Sequence, residues 1–113
     1  MANSLKNRHE FGHVYKNGKS FANKYLIMYV VDNHSDCNRI GISVSKKVGN
    51  SVVRHRITRL IRESYRLNES MFQNGLDIVV VARFGARDKK YSEIESALLH
   101  VSKIHKILLK EMM

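Results

Sequence analysis

The chain has 113 residues, with 20 Lys or Arg against 10 Asp or Glu and a formal net charge of +10. That length supports one domain with one core, spanning 1–113, and a hydrophobic fraction of 43% excludes wholesale disorder. A folded chain with so large a positive excess points to polyanionic partners, either nucleic acid or an acidic membrane surface.

The longest apolar run, Tyr25 to Val31, falls far short of the roughly 20 residues a spanning helix needs. No apolar stretch follows a basic start, so neither an export signal nor a membrane partner is expected. Cys37 is the single cysteine, which excludes an internal disulfide and fits a reducing cytoplasm. It follows Asp36 in a polar stretch and reads as a tolerated surface thiol rather than a nucleophile.

In chain order, Asn7 to Asn17 carries Phe11, Val14 and Tyr15 at helical spacing, and Asn17-Gly18 stops it. Asn7 followed by Glu10 has the spacing of a capping box. Tyr25 to Asp32 is β-branched and aromatic and predicts a buried strand. Arg39 to Ser45 alternates Ile40, Ile42 and Val44 with Gly41 and Ser43, a strand with one wet face. The polar stretch Asn33 to Asn38 between these two strands predicts a hairpin.

Gly49-Asn50-Ser51 is a break and a helix N-cap, and the helix runs to about Asn68. Its apolar positions are Val53, Ile57, Leu60, Ile61, Ser64 and Leu67. Ile78 to Val81 is a continuous apolar run within Asp77 to Arg83, as in a central strand. From Tyr91 onward, Ile94, Ala97, Leu98, Val101, Ile104 and Leu108 mark a last amphipathic helix. The expected fold is an α/β sandwich, one sheet with helices packed against it.

The charge is concentrated. Arg39, Lys46, Lys47, Arg54, Arg56, Arg59, Arg62 and Arg66 face only Glu63, so this quarter of the chain carries +7 of the total. With Val53 at zero, the apolar set lies within about 80° on a helical projection, and the arginines and His55 occupy the rest, from about 100° to 300°. Such an unmixed face costs like-charge repulsion at pairs such as Arg62 and Arg66. No lysine lies between Ser51 and Asn68. Guanidinium groups fork onto phosphate and stack on bases as ammonium does not, so the face reads as a phosphate-binding surface.

The stretch from Arg39 to Glu63 closely resembles the signature of the bacterial ribonuclease P protein component. The resembling features are Ser45-Lys46-Lys47, the Gly49-Asn50 break, Arg54-His55-Arg56, and then Arg59 and Arg62. Phe11, Val14, Tyr15 and Gly18 resemble the family's first helix, and Val81-Ala82-Arg83 the end of its last strand. The sequence departs at His55, where the family usually has Asn, and at Thr58, where it often has a basic residue.

The resemblance implies an α/β two-layer sandwich in the order α-β-β-β-α-β-α, with a left-handed strand–helix–strand crossover against the usual rule. It implies a ribonucleoprotein that removes the 5′ leader from precursor tRNA, with the chemistry on an RNA subunit and Mg2+ required by the holoenzyme. Lys46, Lys47, Asn50, Arg54, His55, Arg56, Arg59 and Arg62 would then contact the catalytic RNA. Phe11, Tyr15, Lys24, Tyr29, Ser43, Ser45 and Arg66 would line a cleft for the single-stranded leader. The i,i+4 spacing of Phe11 and Tyr15 suits a stacking wall and equally suits a core.

No catalytic residue, protein-bound cofactor or metal site is expected. His9 and His13 share a helix face, but two ligands do not make a site. The protein alone is expected to be a monomer. Two rival readings remain at this stage, a ribosomal-type RNA-binding protein and a DNA-binding protein whose arginine helix enters a major groove.

Overall fold

The computed structural model describes residues 3–109. Its elements are β1 (Asn3–Ser4), α1 (Arg8–Asn17), β2 (Lys19–Ala22), β3 (Leu26–Asp32), β4 (Arg39–Ser43), α2 (Ser51–Asn68), β5 (Leu76–Ala82) and α3 (Tyr91–His105). Short 3-10 turns at Glu69–Met71 and Phe84–Ala86 flank β5. The sheet order is β1-β4-β5-β3-β2. β4 runs parallel to β1 and β5, and β3 runs antiparallel to β5 and β2.

The apolar run Ile78 to Val81 lacks a wet face because β5 is the central strand, with neighbours on both edges and side chains packed on both faces. This overturns the expected hairpin. β3 and β4 are not neighbours, since β5 lies between them. Asn33–Asn38 instead arches over the start of β5, a gap of two strand spacings or about 10 Å. The arch is held from below, where the Asn33 N–H donates to the Gly75 carbonyl at 2.9 Å. Gly75 has φ +81, and a Cβ there would lie 2.6 Å from the Ser35 oxygen. The antiparallel hairpin is β2–β3, whose first strand has only a weak sequence pattern.

The helices do not all lie in one layer. α2 and α3 cover the face that carries Met28, Ile40, Ile78 and Val80. α1 lies on the other face, against Leu5 and Val79. The simple two-layer expectation is therefore replaced by one main helical layer and a single helix on the reverse. In the main core Leu26, Met28, Ile57, Ile61, Ile78, Ile94 and Leu98 are fully buried, each contributing about 2 kcal/mol of transfer free energy.

The buried face of α2 is rotated from the expected one. Ile57, Ile61, Ser64 and Tyr65 are buried, whereas Leu67 is 56% exposed. Tyr65 turns inward because its hydroxyl meets the buried Asn38, whose amide donates to it at 3.1 Å and to the Gln73 carbonyl at 2.8 Å. The Asn38 carbonyl oxygen accepts from the Leu76 N–H at 2.9 Å. Every polar atom of this side chain is thus engaged where β4, α2 and β5 converge.

A second polar knot holds the reverse face. Asp77 is 2% exposed, and the Arg39 guanidinium grips its two oxygens at 2.9 and 2.6 Å. Asn33 adds a bond at 2.9 Å. The third guanidinium nitrogen reaches Glu10 of α1 at 3.0 Å. Glu10 also accepts from the Lys6 N–H at 2.6 Å, while Asn7 caps the helix by accepting from the Glu10 N–H at 2.9 Å. The expected capping pair is present, with its carboxylate turned one residue outward.

Burial pushes the Asp77 carboxyl up, but the Arg39 and Asn33 bonds outweigh it and hold it below the usual carboxylate range. Its stabilisation is therefore present above the unfolded value near about 4 and is lost as the pH falls through the lower folded value. Asp77→Asn should destabilise the fold by about 3 kcal/mol, the low end for a broken buried pair because Arg39 keeps Glu10 and is partly exposed. Chemical denaturation at neutral and acidic pH checks this. The variant should lose less of its remaining stability than the parent as pH drops below the carboxylate range.

Candidate nucleic-acid interface

The reverse face of the sheet is best described by its rows of paired residues. Val31, Asp77 and Arg39 form the first row, tied to the start of α1 through Glu10. Ser20, Tyr29, Val79 and Gly41 form the second. α1 crosses this row obliquely. Phe11 lies on Gly41, where a Cβ would come within 2.5 Å of the ring, and Tyr15 meets Tyr29 edge-on at 4.9 Å. Ala22, Ile27, Val81 and Ser43 form the third row. No α1 residue is paired over it, and its members are half-buried or exposed. The result is a groove whose wall is Phe11, Tyr15 and Tyr29 and whose floor is the third row.

Both readings of the aromatic spacing are therefore partly realised. Phe11 is half-buried against the sheet, while Tyr15 is 39% exposed, 6.4 Å from Phe11 between ring centroids. Beyond the open row, β4 delivers Ser45, Lys46 and Lys47, all exposed, and the β2–β3 turn delivers Lys24 to the same end of the sheet. Arg66 is not there. It sits near the far end of α2, on the opposite face of the sheet, and holds Glu63 at 3.0 and 2.6 Å. Ile27 and Val81 belong to the groove floor without having been singled out. The two-residue period of β3 and β5 contains them, but only the strand register shows which face is open.

α2 begins beside the same end of the sheet. Asn50 caps it by accepting from the Val53 N–H at 3.0 Å. Arg54 donates to the Gly49 carbonyl at 3.2 Å and Arg56 to the Lys89 carbonyl at 2.8 Å, so both guanidinium groups are anchored and half-buried. His55, Arg59 and Arg62 are exposed. Thr58 turns its hydroxyl back to the Arg54 carbonyl at 2.9 Å, leaving it no outward role.

The +7 of the Arg39 to Arg66 segment divides unevenly. Arg39 is neutralised by Asp77 and Glu10, and Arg66 by Glu63. The Arg66 bond holds the Glu63 carboxyl below its usual range. Lys46, Lys47, Arg54, Arg56, Arg59 and Arg62 have no carboxylate partner among the described residues. These six form one electropositive surface running from the groove mouth along α2.

No constellation for protein-based catalysis accompanies that surface. Among the described residues, no three His, Cys, Asp or Glu side chains are grouped to hold a metal ion. His13 meets the Asn17 amide at 3.1 Å rather than His9. Cys37 is exposed and its thiol is pushed up by its bond to Asp36, the wrong direction for a nucleophile. No helix among the described residues is long and apolar enough to cross a membrane.

The family model for Ribonuclease P matches residues 1–106. The ribonuclease P protein component of Lachnoclostridium phytofermentans is 70% identical over 108 residues, covering 96% of this chain and 93% of that one. The chain belongs to the ribonuclease P protein family. That of Alkaliphilus metalliredigens is 53% identical, covering 94% and 96%. The RNase P protein of Staphylococcus aureus superposes with a TM-score of 0.88 at 40% identity, covering 96% of this chain and 100% of that one. The RNase P protein of Thermotoga maritima gives 0.82 at 29% identity, covering 89% and 96%.

The charge partition gives a direct test of which family-signature arginines meet phosphate. Arg59→Ala and Arg62→Ala should each shallow the salt dependence of RNA binding by roughly 0.7–0.9 in log–log slope. Arg66→Ala should change it clearly less, because Glu63 already offsets that charge. Equal slopes for all three variants would show that the ion pair opens on binding.

Proposed function

We propose that this chain acts as the protein subunit of ribonuclease P, in the removal of the 5′ leader from precursor tRNA. The observation that carries the proposal is the meeting of an aromatic-walled groove and an unpaired arginine surface at one end of the sheet. A groove with aromatic sides and a basic mouth suits a single strand. Bases stack at about 1–3 kcal/mol each without regard to sequence, and the phosphates lie against cations. A convex arginine helix suits the phosphates of a folded RNA instead.

In this reading the helix side binds the catalytic RNA through Lys46, Lys47, Arg54, His55, Arg56, Arg59 and Arg62. Asn50 serves it indirectly, by fixing the start of α2. The groove takes the leader through Phe11, Tyr15, Tyr29, Ser43 and Ser45, with Lys24 at its mouth. Arg66 is assigned to neither. Cleavage is carried by the RNA subunit, with Mg2+ on RNA phosphates, while this chain orients the substrate and screens backbone charge. The family likeness also supports a left-handed β4–α2–β5 crossover, a cytoplasmic location and a monomeric free protein.

A ribosomal-type protein would share the arginine surface but would have no use for an open aromatic groove beside it. A DNA-groove reader is disfavoured because α2 follows a strand and a loop rather than a helix–turn. Reconstitution decides the matter. At low magnesium, the protein added to a bacterial ribonuclease P RNA should stimulate cleavage of a leader-bearing precursor tRNA. Tyr15→Ala should weaken binding of that precursor about fivefold or more while leaving mature tRNA unchanged. Failure to stimulate, or cleavage by protein alone, would refute the assignment.

A further inference from the structure

The groove floor does not end at a bare edge. β5 leaves Val81 and Ala82 and enters the 3-10 turn Phe84–Ala86, so Phe84 follows Val81 within about 10 Å of chain. Ala86 is fully buried in the main core and anchors the turn. Gly85 lies against the β2–β3 turn, its would-be Cβ 3.2 Å from the Lys24 carbonyl and 3.5 Å from the Tyr25 ring. Phe84 itself is 60% exposed, and the Arg87 guanidinium stands 5.2 Å from its ring centroid. Beside it, the Tyr25 ring lies between the Lys24 and Lys89 ammonium groups, at 5.9 and 5.4 Å.

Five cations, Lys24, Arg83, Arg87, Lys89 and Lys90, are gathered here with two carboxylates, Asp88 and Glu93. Glu93 is engaged in capping α3, where it accepts from the Lys90 N–H at 3.0 Å. Asp88 reaches only Lys89, at 3.6 Å. Arg83 donates to the Asn23 carbonyl at 2.8 Å, and Arg87 has no carboxylate partner among the described residues. Arg56 ties this corner to α2 through the Lys89 carbonyl. A large exposed ring with a cation on it, surrounded by net positive charge, suits a stacked base and its phosphate. A protein partner of ordinary composition would find little to match it.

We propose that the Phe84–Arg87 pair, backed by Lys24, Tyr25 and Lys89, is a second stacking platform that receives the distal part of the 5′ leader after it leaves the groove. The inference rests on the leader-binding reading of the groove. Phe84 takes a base, Arg87 braces the ring and meets the adjoining phosphate, and the lysines hold the backbone at the rim. The platform therefore gives the protein a preference for longer leaders, independent of their sequence.

Holoenzyme reconstituted with ribonuclease P RNA tests this, using precursor tRNAs with leaders of about four and about twelve nucleotides. Phe84→Ala and Arg87→Ala should each weaken binding of the long-leader precursor about fivefold and leave the short-leader precursor unchanged. Both side chains are exposed, so the fold should hold. The chain has no tryptophan, so Phe84→Trp places a lone reporter on the platform. Its fluorescence should be quenched by the long leader only. Equal losses for both leaders, an unquenched tryptophan, or weakened binding of the catalytic RNA alone would overturn the proposal. If the parent holoenzyme does not distinguish leader-bearing from mature tRNA, the groove reading itself fails.

Discussion

The buried carboxylate of Asp77 governs the arrangement of the reverse face. An ionised group at that depth is tolerated only with full hydrogen bonding and an opposite charge. Arg39 is its direct cross-strand partner and supplies both. Because the same guanidinium reaches Glu10, one ion group joins the central strand, its parallel neighbour and the start of α1. The anchor lies at the Asp77 end of the face. α1 is thereby held across the first two rows, and the row of Ile27, Val81 and Ser43 stays open. Gly41 completes the geometry, since any side chain there would lift Phe11 off the sheet and alter the groove wall.

The electrostatics follow from the same division. Cations that serve the fold have been given carboxylates, Arg39 with Asp77 and Glu10, Arg66 with Glu63. Those at the open end and along α2 have not. Arg54 and Arg56 are braced by backbone carbonyls instead, which fixes their direction without cancelling their charge. Leaving such a surface unmixed costs some self-repulsion in the free protein. An RNA that brings phosphates to it removes that repulsion and releases its own counterions, which makes the association strongly salt-dependent.

The sequence was informative wherever a pattern is local. Helix periods, the Asn50 and Asn7 caps, the apolar run of β5 and the charge cluster are all satisfied within a turn or a strand. It was less informative where long-range pairing decides. Asn33–Asn38 has the composition of a hairpin turn, and nothing in it records that β5, more than 35 residues on, inserts between its flanking strands. Arg39 counts as one more basic residue until its cross-strand partner is known. The rotation of α2 that buries Tyr65 and exposes Leu67 depends on Asn38, again a distant contact. Arg66 shares a helix face with Arg62 by spacing, yet its Glu63 partner and its position at the far end of α2 set it apart.

The topology also explains why three basic segments distant in sequence converge. In a parallel pair joined by a helix, both strands end at the same edge of the sheet, and the helix starts there. The segments after β4 and β5, and the first turn of α2, must therefore lie together. The antiparallel β3 begins at that edge too, which brings the β2–β3 turn alongside. Lys24, Lys46, Lys47, Arg54, Arg56 and Arg87 consequently border one end of a sheet whose other end is closed by the Arg39–Asp77 ion group. A strand of RNA entering the groove has cations at a single exit, and that asymmetry gives it a direction with respect to the RNA bound along α2.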